Sequence, residues 1–168
     1  MIKKADFGGG CHWCTEAVFS SLKGVLLVHQ GWIASTGKNV SFSEGVIVEY
    51  DDSIISFYTL IAIHLYTHSS TSEHSMREKY RSAIYTFVDS DKLMAEEIIA
   101  ALQPEFNEHI ITQVLPFEKF TLSREELQDY YFNDPEKPFC ELYINPKLKL
   151  IIERFSKATD YDKLKHLK

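Results

Sequence analysis

The sequence predicts an α+β fold, and three observations carry that expectation. The glycines Gly8-Gly9-Gly10 separate a strand-like run from a helix-like one. Two Val/Ile-rich runs with turn residues between them follow, and an apolar helical segment then leads into another strand. The resulting order, β-α-β-β-α-β, is that of a ferredoxin-like split β-α-β plait, in which two helices cover one face of an antiparallel sheet. Extra helix and strand elements and a C-terminal extension complete the chain.

Lys3 to Phe7 reads as the first strand. Cys11 to Leu22 has helical periodicity and stops at Lys23-Gly24, where glycine accepts the left-handed turn that ends many helices. Val25 to Trp32 and Glu44 to Tyr50 read as an antiparallel pair across the polar loop Ser35 to Ser43, closed by Asp51-Asp52. Ser56 to Tyr66 is too apolar for an exposed helix and suits one packed on a sheet, and Arg81 to Val88 returns as a strand. Asp89 or Ser90 caps a helix through Leu102, with Pro104 helping to end it. Ile110 to Leu115 follows as a strand, and Ser123 begins a helix through Tyr131 with acids in its first turn.

Asn133 to Pro138 is rich in turn residues, so residues 133–145 are expected to form a mobile arm carrying Cys140. Lys147 to Ser156 then has amphipathic spacing, inside a basic helical tail over 146–168. Residues 147–168 hold seven Lys/Arg and three acids, a local charge of +4 against -10 for the rest, and the basic face is expected to be solvated.

With 168 residues and 45% hydrophobic content, the chain suits one domain with ample core, here a single catalytic domain over 1–168. A net charge of -6 supplies no cationic field for nucleic acid. The first residues lack the apolar run of a secretory signal, so a cytoplasmic location is expected. Ile54 to Tyr66, interrupted by Ser56, Thr59 and His64, is too short to span a bilayer, so no membrane association is expected.

Three cysteines are too few for a secreted disulfide scaffold and point to chemistry or metal. His64 and His68 have zinc-like spacing with His74 nearby, but no cysteines or acids accompany them; structural histidines and no metal are expected. Cys11 is the nucleophile candidate. It sits at or near the first position of a helix that follows a glycine turn, where the helix N-terminus favours a thiolate. Cys14 is one helical turn further on.

The run GGGCHWCTE resembles the GCFWC signature of the A-type peptide methionine sulfoxide reductases, and further matches follow in order. Lys79-Tyr80-Arg81-Ser82-Ala83-Ile84-Tyr85 is similar to that family's QYRSAIY. Val46 to Asp51 resembles the strand after its catalytic glutamate, and Gln30-Gly31-Trp32 takes the place of its SGY. Gln128-Asp129-Tyr130-Tyr131 with Pro138-Phe139-Cys140 resembles its HQxYxxxNPxGYC ending. The resemblance implies a decorated ferredoxin-like plait and thiol-dependent reduction of methionine sulfoxide, the S epimer, in peptides and proteins. It puts the sulfur nucleophile on Cys11, the sulfoxide-protonating acid on Glu44, an active-site tyrosine on Tyr80 and the resolving thiol on Cys140. It also implies an intramolecular disulfide reduced by thioredoxin, or by dithiothreitol, without a cofactor. A catalytic glutamate is expected in an apolar pocket that holds its proton near neutral pH.

Trp13 corresponds to the tryptophan that walls the substrate methyl group. His12 stands where the signature has phenylalanine, Ser75 where the family has an aspartate, and Leu127 where it has a histidine; the loop between Gly31 and Glu44 is shorter and lacks an alignable tyrosine. Two other readings use the same residues. Cys11-His12-Trp13-Cys14 suits a thiol-disulfide oxidoreductase, for which a Cys11–Cys14 bond would be diagnostic. The departures at His12 and Ser75 suit a peptide-binding module without efficient turnover.

Overall fold

In the computed structural model, which describes residues 1–167, six strands form one sheet among the described residues. They are β1 (Ile2–Gly8), β2 (Val25–Ala34), β3 (Ser43–Asp51), β4 (Ala83–Thr86), β5 (Gln113–Pro116) and β6 (Lys119–Leu122). The order is β5-β4-β1-β3-β2-β6, and its inner four strands are all antiparallel, the arrangement of the split β-α-β plait. Helices α1 (His12–Ser20) and α2 (Phe57–Thr67) cover one face. Phe7 stacks on Phe19 at 4.5 Å between centroids, above buried Val46, Val48, Ile61 and Leu65. Each such side chain contributes roughly 1.5–3 kcal/mol by leaving water.

The other face is closed by the sheet itself. β5 adds parallel to β4, β6 adds antiparallel to β2, and only Phe117 and Glu118 separate them in sequence, so one extended segment joins opposite edges. Phe117 N–H donates to the Thr86 carbonyl at 2.9 Å and Glu118 N–H to that of Ala34 at 3.1 Å. The sheet is therefore sharply curled at this end, around a small core of Ile33, Ala83 and Tyr85 with Leu115, Phe117 and Phe120. Gly8, Gly45 and Gly31 form a row across β1, β3 and β2 on the curled face. A Cβ on Gly31 would lie 2.1 Å from the Thr121 carbonyl oxygen, and one on Gly45 would lie 2.7 Å from Ile33, so the close approach requires glycine at both.

Helix α3 (Asp89–Leu102) buries Ala95, Ile98 and Leu102. Three expectations change beyond it. The helix expected over Ser123 to Tyr131 is a single tight turn, Glu125–Leu127, followed by the short α4 (Tyr130–Asn133), because Asp129 takes a left-handed conformation with φ 55°. The segment expected as an arm carrying Cys140 is helical from that residue on: Cys140–Ile144 is a widened helical turn running into α5 (Asn145–Arg154), and Cys140 is 0% exposed. Ile144, Leu148 and Ile151 anchor this continuous helix in the main core, so apolar burial overrides the turn-forming composition before it. In the basic tail, Lys147 turns inward to donate to the Thr67 carbonyl, and the chain after Arg154 forms turns. Lys168, counted in that tail, lies outside the described residues.

Candidate active site

Cys11 is the N-cap of α1: its backbone is still extended, φ -57° and ψ 129°, while its carbonyl already accepts the N–H groups of Cys14 at 3.0 Å and Thr15 at 3.1 Å. A hydrogen bond from the Cys14 thiol, joined by the backbone N–H groups of Trp13 and Cys14, holds the Cys11 pKa below the ordinary thiol value, against the opposing effects of burial and the Glu44 charge. The same thiol–thiol bond, together with burial, pushes Cys14 up. The glycine turn beneath is braced from the far side. His64 Nε2 donates to the Gly8 carbonyl at 2.8 Å and Arg77 Nη1 to that of Gly9 at 2.9 Å. Gly9 has φ 151°, and a Cβ there would lie 2.5 Å from the His68 ring.

Glu44 lies on β3 opposite Trp32 and is 6% exposed. Its pocket is polar, not the apolar one expected. Oε1 accepts the backbone N–H of His12 at 3.1 Å, and Oε2 faces the Lys79 ammonium at 3.6 Å. The imidazole of His12, 4% exposed, has Nδ1 2.8 Å from the Gly31 carbonyl and Nε2 3.5 Å from Glu44 Oε1, with its ring edge-on to Trp32. One peptide unit thus ties the carboxyl to the residue after the candidate nucleophile. Tyr80 follows Lys79 on a segment stitched to β3: Lys79 accepts from Glu44 N–H at 2.9 Å, and Arg81 N–H donates to Ser43 Oγ at 2.7 Å. The Lys79 ammonium lies 5.1 Å from the Tyr80 ring centroid.

Trp13 stacks flat on Tyr130, with Phe139 edge-on at 5.6 Å, giving an aromatic wall beside Cys11. Ser75 is exposed and lines a cleft of about 370 Å³ with Trp32, Phe42, Met76 and Lys79, on the Glu44 side. Cys140 is buried behind the wall, and burial raises its pKa. The fold therefore gathers Cys11, His12, Trp13 and Glu44, links Tyr80 to them through Lys79, leaves Ser75 exposed in the adjoining cleft and buries Cys140.

Sequence reasoning missed four contributors. Lys79 and Tyr130 lay within stretches quoted for their likeness to the family, but nothing local marks an ammonium for a carboxylate on another strand or a ring for stacking. Glu16, inside GGGCHWCTE, is buried and accepts from Gln30 Nε2 at 2.7 Å, Asp129 N–H at 2.9 Å and Tyr130 N–H at 3.1 Å. Lys147 reaches a void of about 30 Å³ bounded by Cys11, Cys14, His64 and His68. No group of three or more His, Cys, Asp or Glu side chains among the described residues is arranged to hold a metal ion. No described helix is long and apolar enough to cross a membrane.

What such a sulfur does next defines the class. A thiolate that attacks an oxidised sulfur is itself oxidised and needs a further thiol to return it, and the chain carries two more free cysteines; it is a thiol-dependent oxidoreductase. Comparison supplies the family. The model for peptide methionine sulfoxide reductase matches residues 3–160, and the chain belongs to that family. It is 35% identical to the peptide methionine sulfoxide reductase MsrA of Pasteurella multocida, over 88% of this chain and 92% of that one. It is 31% identical to the MsrA of Sulfolobus acidocaldarius, over 92% and 96%. Among solved structures, the reduced form of Mxr1 from Saccharomyces cerevisiae superposes with a TM-score of 0.73 at 22% identity, covering 83% of this chain and 89% of that one. Mxr1 in complex with Trx2 gives 0.60 at 22% identity, over 77% and 84%. These likenesses carry the decorated plait fold.

Proposed function

We propose that this chain reduces methionine sulfoxide, the S epimer, in peptides and proteins to methionine, with residues 1–168 acting as one catalytic domain in the cytoplasm. The Cys11 thiolate attacks the sulfoxide sulfur, and the S–O bonding electrons shift onto oxygen, which takes a proton from Glu44 with Tyr80 beside it. Transfer of the hydroxyl to the Cys11 sulfur then releases the thioether. Thiolate, sulfoxide and one proton give methionine and Cys11 sulfenic acid. Condensation with the resolving thiol of Cys140 expels water and leaves a disulfide, which thioredoxin or dithiothreitol reduces by exchange, with no further cofactor. Trp13 and His12 wall the methyl group, and Ser75 lines the cleft for the peptide.

The observation that carries this reading is the bond from the His12 N–H to Glu44, which couples the proton source to the peptide that follows the nucleophile. The names of the MsrA relatives point to the same substrate, and the Mxr1–Trx2 complex points to the same reductant. Cys11 and Cys14 border the same small void while Cys140 is buried, which favours a second reading of the relief step, in which Cys14 condenses first and Cys140 exchanges later. Incubation with a peptide of each sulfoxide epimer, followed by mapping of the disulfide, tests both. Methionine from the S epimer with a Cys11–Cys140 bond is expected. A Cys11–Cys14 bond with methionine formed selects the second reading, the same bond without methionine points to a thiol-disulfide oxidoreductase, and binding of the peptide with neither would leave only a recognition module.

A further inference from the structure

We infer that His12 is the proton partner of Glu44: the imidazole Nε2 and the carboxyl Oε1 hold one transferable proton between them, and this pair, not the carboxyl alone, serves the sulfoxide oxygen. The inference rests on the proposed role of Glu44 and adds a positioning residue to it.

A carbonyl oxygen only accepts, so the 2.8 Å contact with Gly31 requires the proton on Nδ1. Nε2 of the neutral ring is then a bare lone pair, and it faces Glu44 Oε1 at 3.5 Å. With both groups buried and the carboxyl ionised, two lone pairs would confront each other out of water; a proton between them turns that repulsion into a hydrogen bond. The rest of the carboxyl is already committed. Oε1 takes the His12 N–H from one side, which aims it at the ring edge, and Oε2 faces the Lys79 ammonium, which favours negative charge there. The shared proton therefore belongs on the Oε1 side.

The neighbouring elements add few competing charges. Lys79 faces the pair from the segment before β4, with the Tyr80 ring against its ammonium, and Cys11 lies beside it at the start of α1. Beyond the Gly31 carbonyl, β2 contributes the uncharged Trp32 ring. As the bond from Cys11 to the sulfoxide sulfur forms, the proton passes to the oxygen. It leaves an ionised Glu44 beside neutral His12 and cationic Lys79, and solvent reprotonates the pair after product leaves. The resemblance puts phenylalanine at this position, so the imidazole is this chain's own.

The test is the single-turnover rate of methionine formation for the native protein, His12→Gln and His12→Phe, with ¹⁵N spectra of the His12 ring in the native protein and in Glu44→Gln. Cys11 ionisation is followed in each protein by the pH dependence of iodoacetamide alkylation and divided out of its rate before the ratio of variant to native rate is taken. That ratio is expected to fall about tenfold from about pH 5.5 to about pH 8.5 in both variants, because neither replacement side chain can share the transferable proton with Glu44. A flat ratio overturns the inference while leaving Glu44 as the acid. The ring spectrum is expected to show a protonated Nδ1 in both proteins and an Nε2 signal that differs between the native protein and Glu44→Gln. An identical Nε2 signal in the two proteins overturns the coupling. A differing signal in a native protein that forms no methionine would uphold the pair and refute the proposed reaction instead.

Discussion

The indole of Trp13 lies flat on the phenol ring of Tyr130, with centroids 4.0 Å apart and planes 9° from parallel. The two rings are registered by backbone. Glu16, nearly one turn after Trp13 on α1, accepts the N–H groups of Asp129 and Tyr130 and so fixes where α4 begins. Aromatic pairs of this geometry contribute about 0.5–1.5 kcal/mol. Tyr130→Leu should therefore raise KM for a sulfoxide peptide about three- to tenfold with a smaller change in kcat, read by steady-state kinetics. Glu16→Ala removes the acceptor of the half-buried Asp129 and Tyr130 N–H groups and one of the two acceptors of Gln30 Nε2, and should destabilise the fold by about 1–2 kcal/mol in urea unfolding.

Cys11 ionises more readily than an ordinary thiol chiefly because Cys14 donates to it. Its alkylation by iodoacetamide should follow a titration curve below that of free cysteine, while Cys14 and Cys140, both raised, stay protected near neutral pH. Cys14→Ala removes the donor and should move the Cys11 curve upward. A curve that stays in place would put the activation on the helix backbone alone.

Cys11→Ser should abolish turnover, and Glu44→Gln should slow sulfoxide reduction by about 10²-fold, within the range of general-acid contributions. Cys140→Ser should spare the first reduction and block recycling by thioredoxin. Single-turnover and steady-state methionine yields on the same variants separate these outcomes.

Two buried groups tilt stability with pH in opposite directions. Burial pushes His64 down to about 3 from 6.5, so between those values the unfolded chain takes a proton that the native state refuses. Stability should then fall as pH drops through 6.5, by up to about 1.4 kcal/mol per pH unit from this residue. His64→Leu should flatten that slope while costing the bond to the Gly8 carbonyl. His68, also held low by burial, should retain part of the slope.

Asp6 on β1 is the reverse case. Its carboxyl faces the curled side opposite Ile47 and Tyr85, neither oxygen has a hydrogen-bond partner, and burial holds its pKa well above 3.8. Above pH 3.8 the unfolded chain releases a proton that the native state keeps, so stability falls as pH rises toward the folded value. Asp6→Val should stabilise the protein, and more so at neutral pH than near pH 4, as read from urea midpoints. An equal or smaller gain at neutral pH would show the carboxyl ionised in the native state.

The sequence by itself determined the β-α-β-β-α-β order and the place of Cys11, because both are written in signals a few residues long: periodicity, glycines, and a cysteine where a helix begins. Ser123 shows where such signals end. It has the form of a helix start, yet its hydroxyl is bonded to Gln30 and the following segment is held by Glu16, so contacts from distant residues break the helix at Asp129. Only the tertiary structure decided that Phe117 and Glu118 bridge opposite sheet edges, that Cys140 is buried, that Lys147 turns inward and that His12 meets Glu44. Each of these joins residues far apart in sequence, or depends on which face of an element its neighbours leave open. Such contacts are selected by burial and by the pairing of polar groups across the whole fold, for which no short stretch of chain carries a sign.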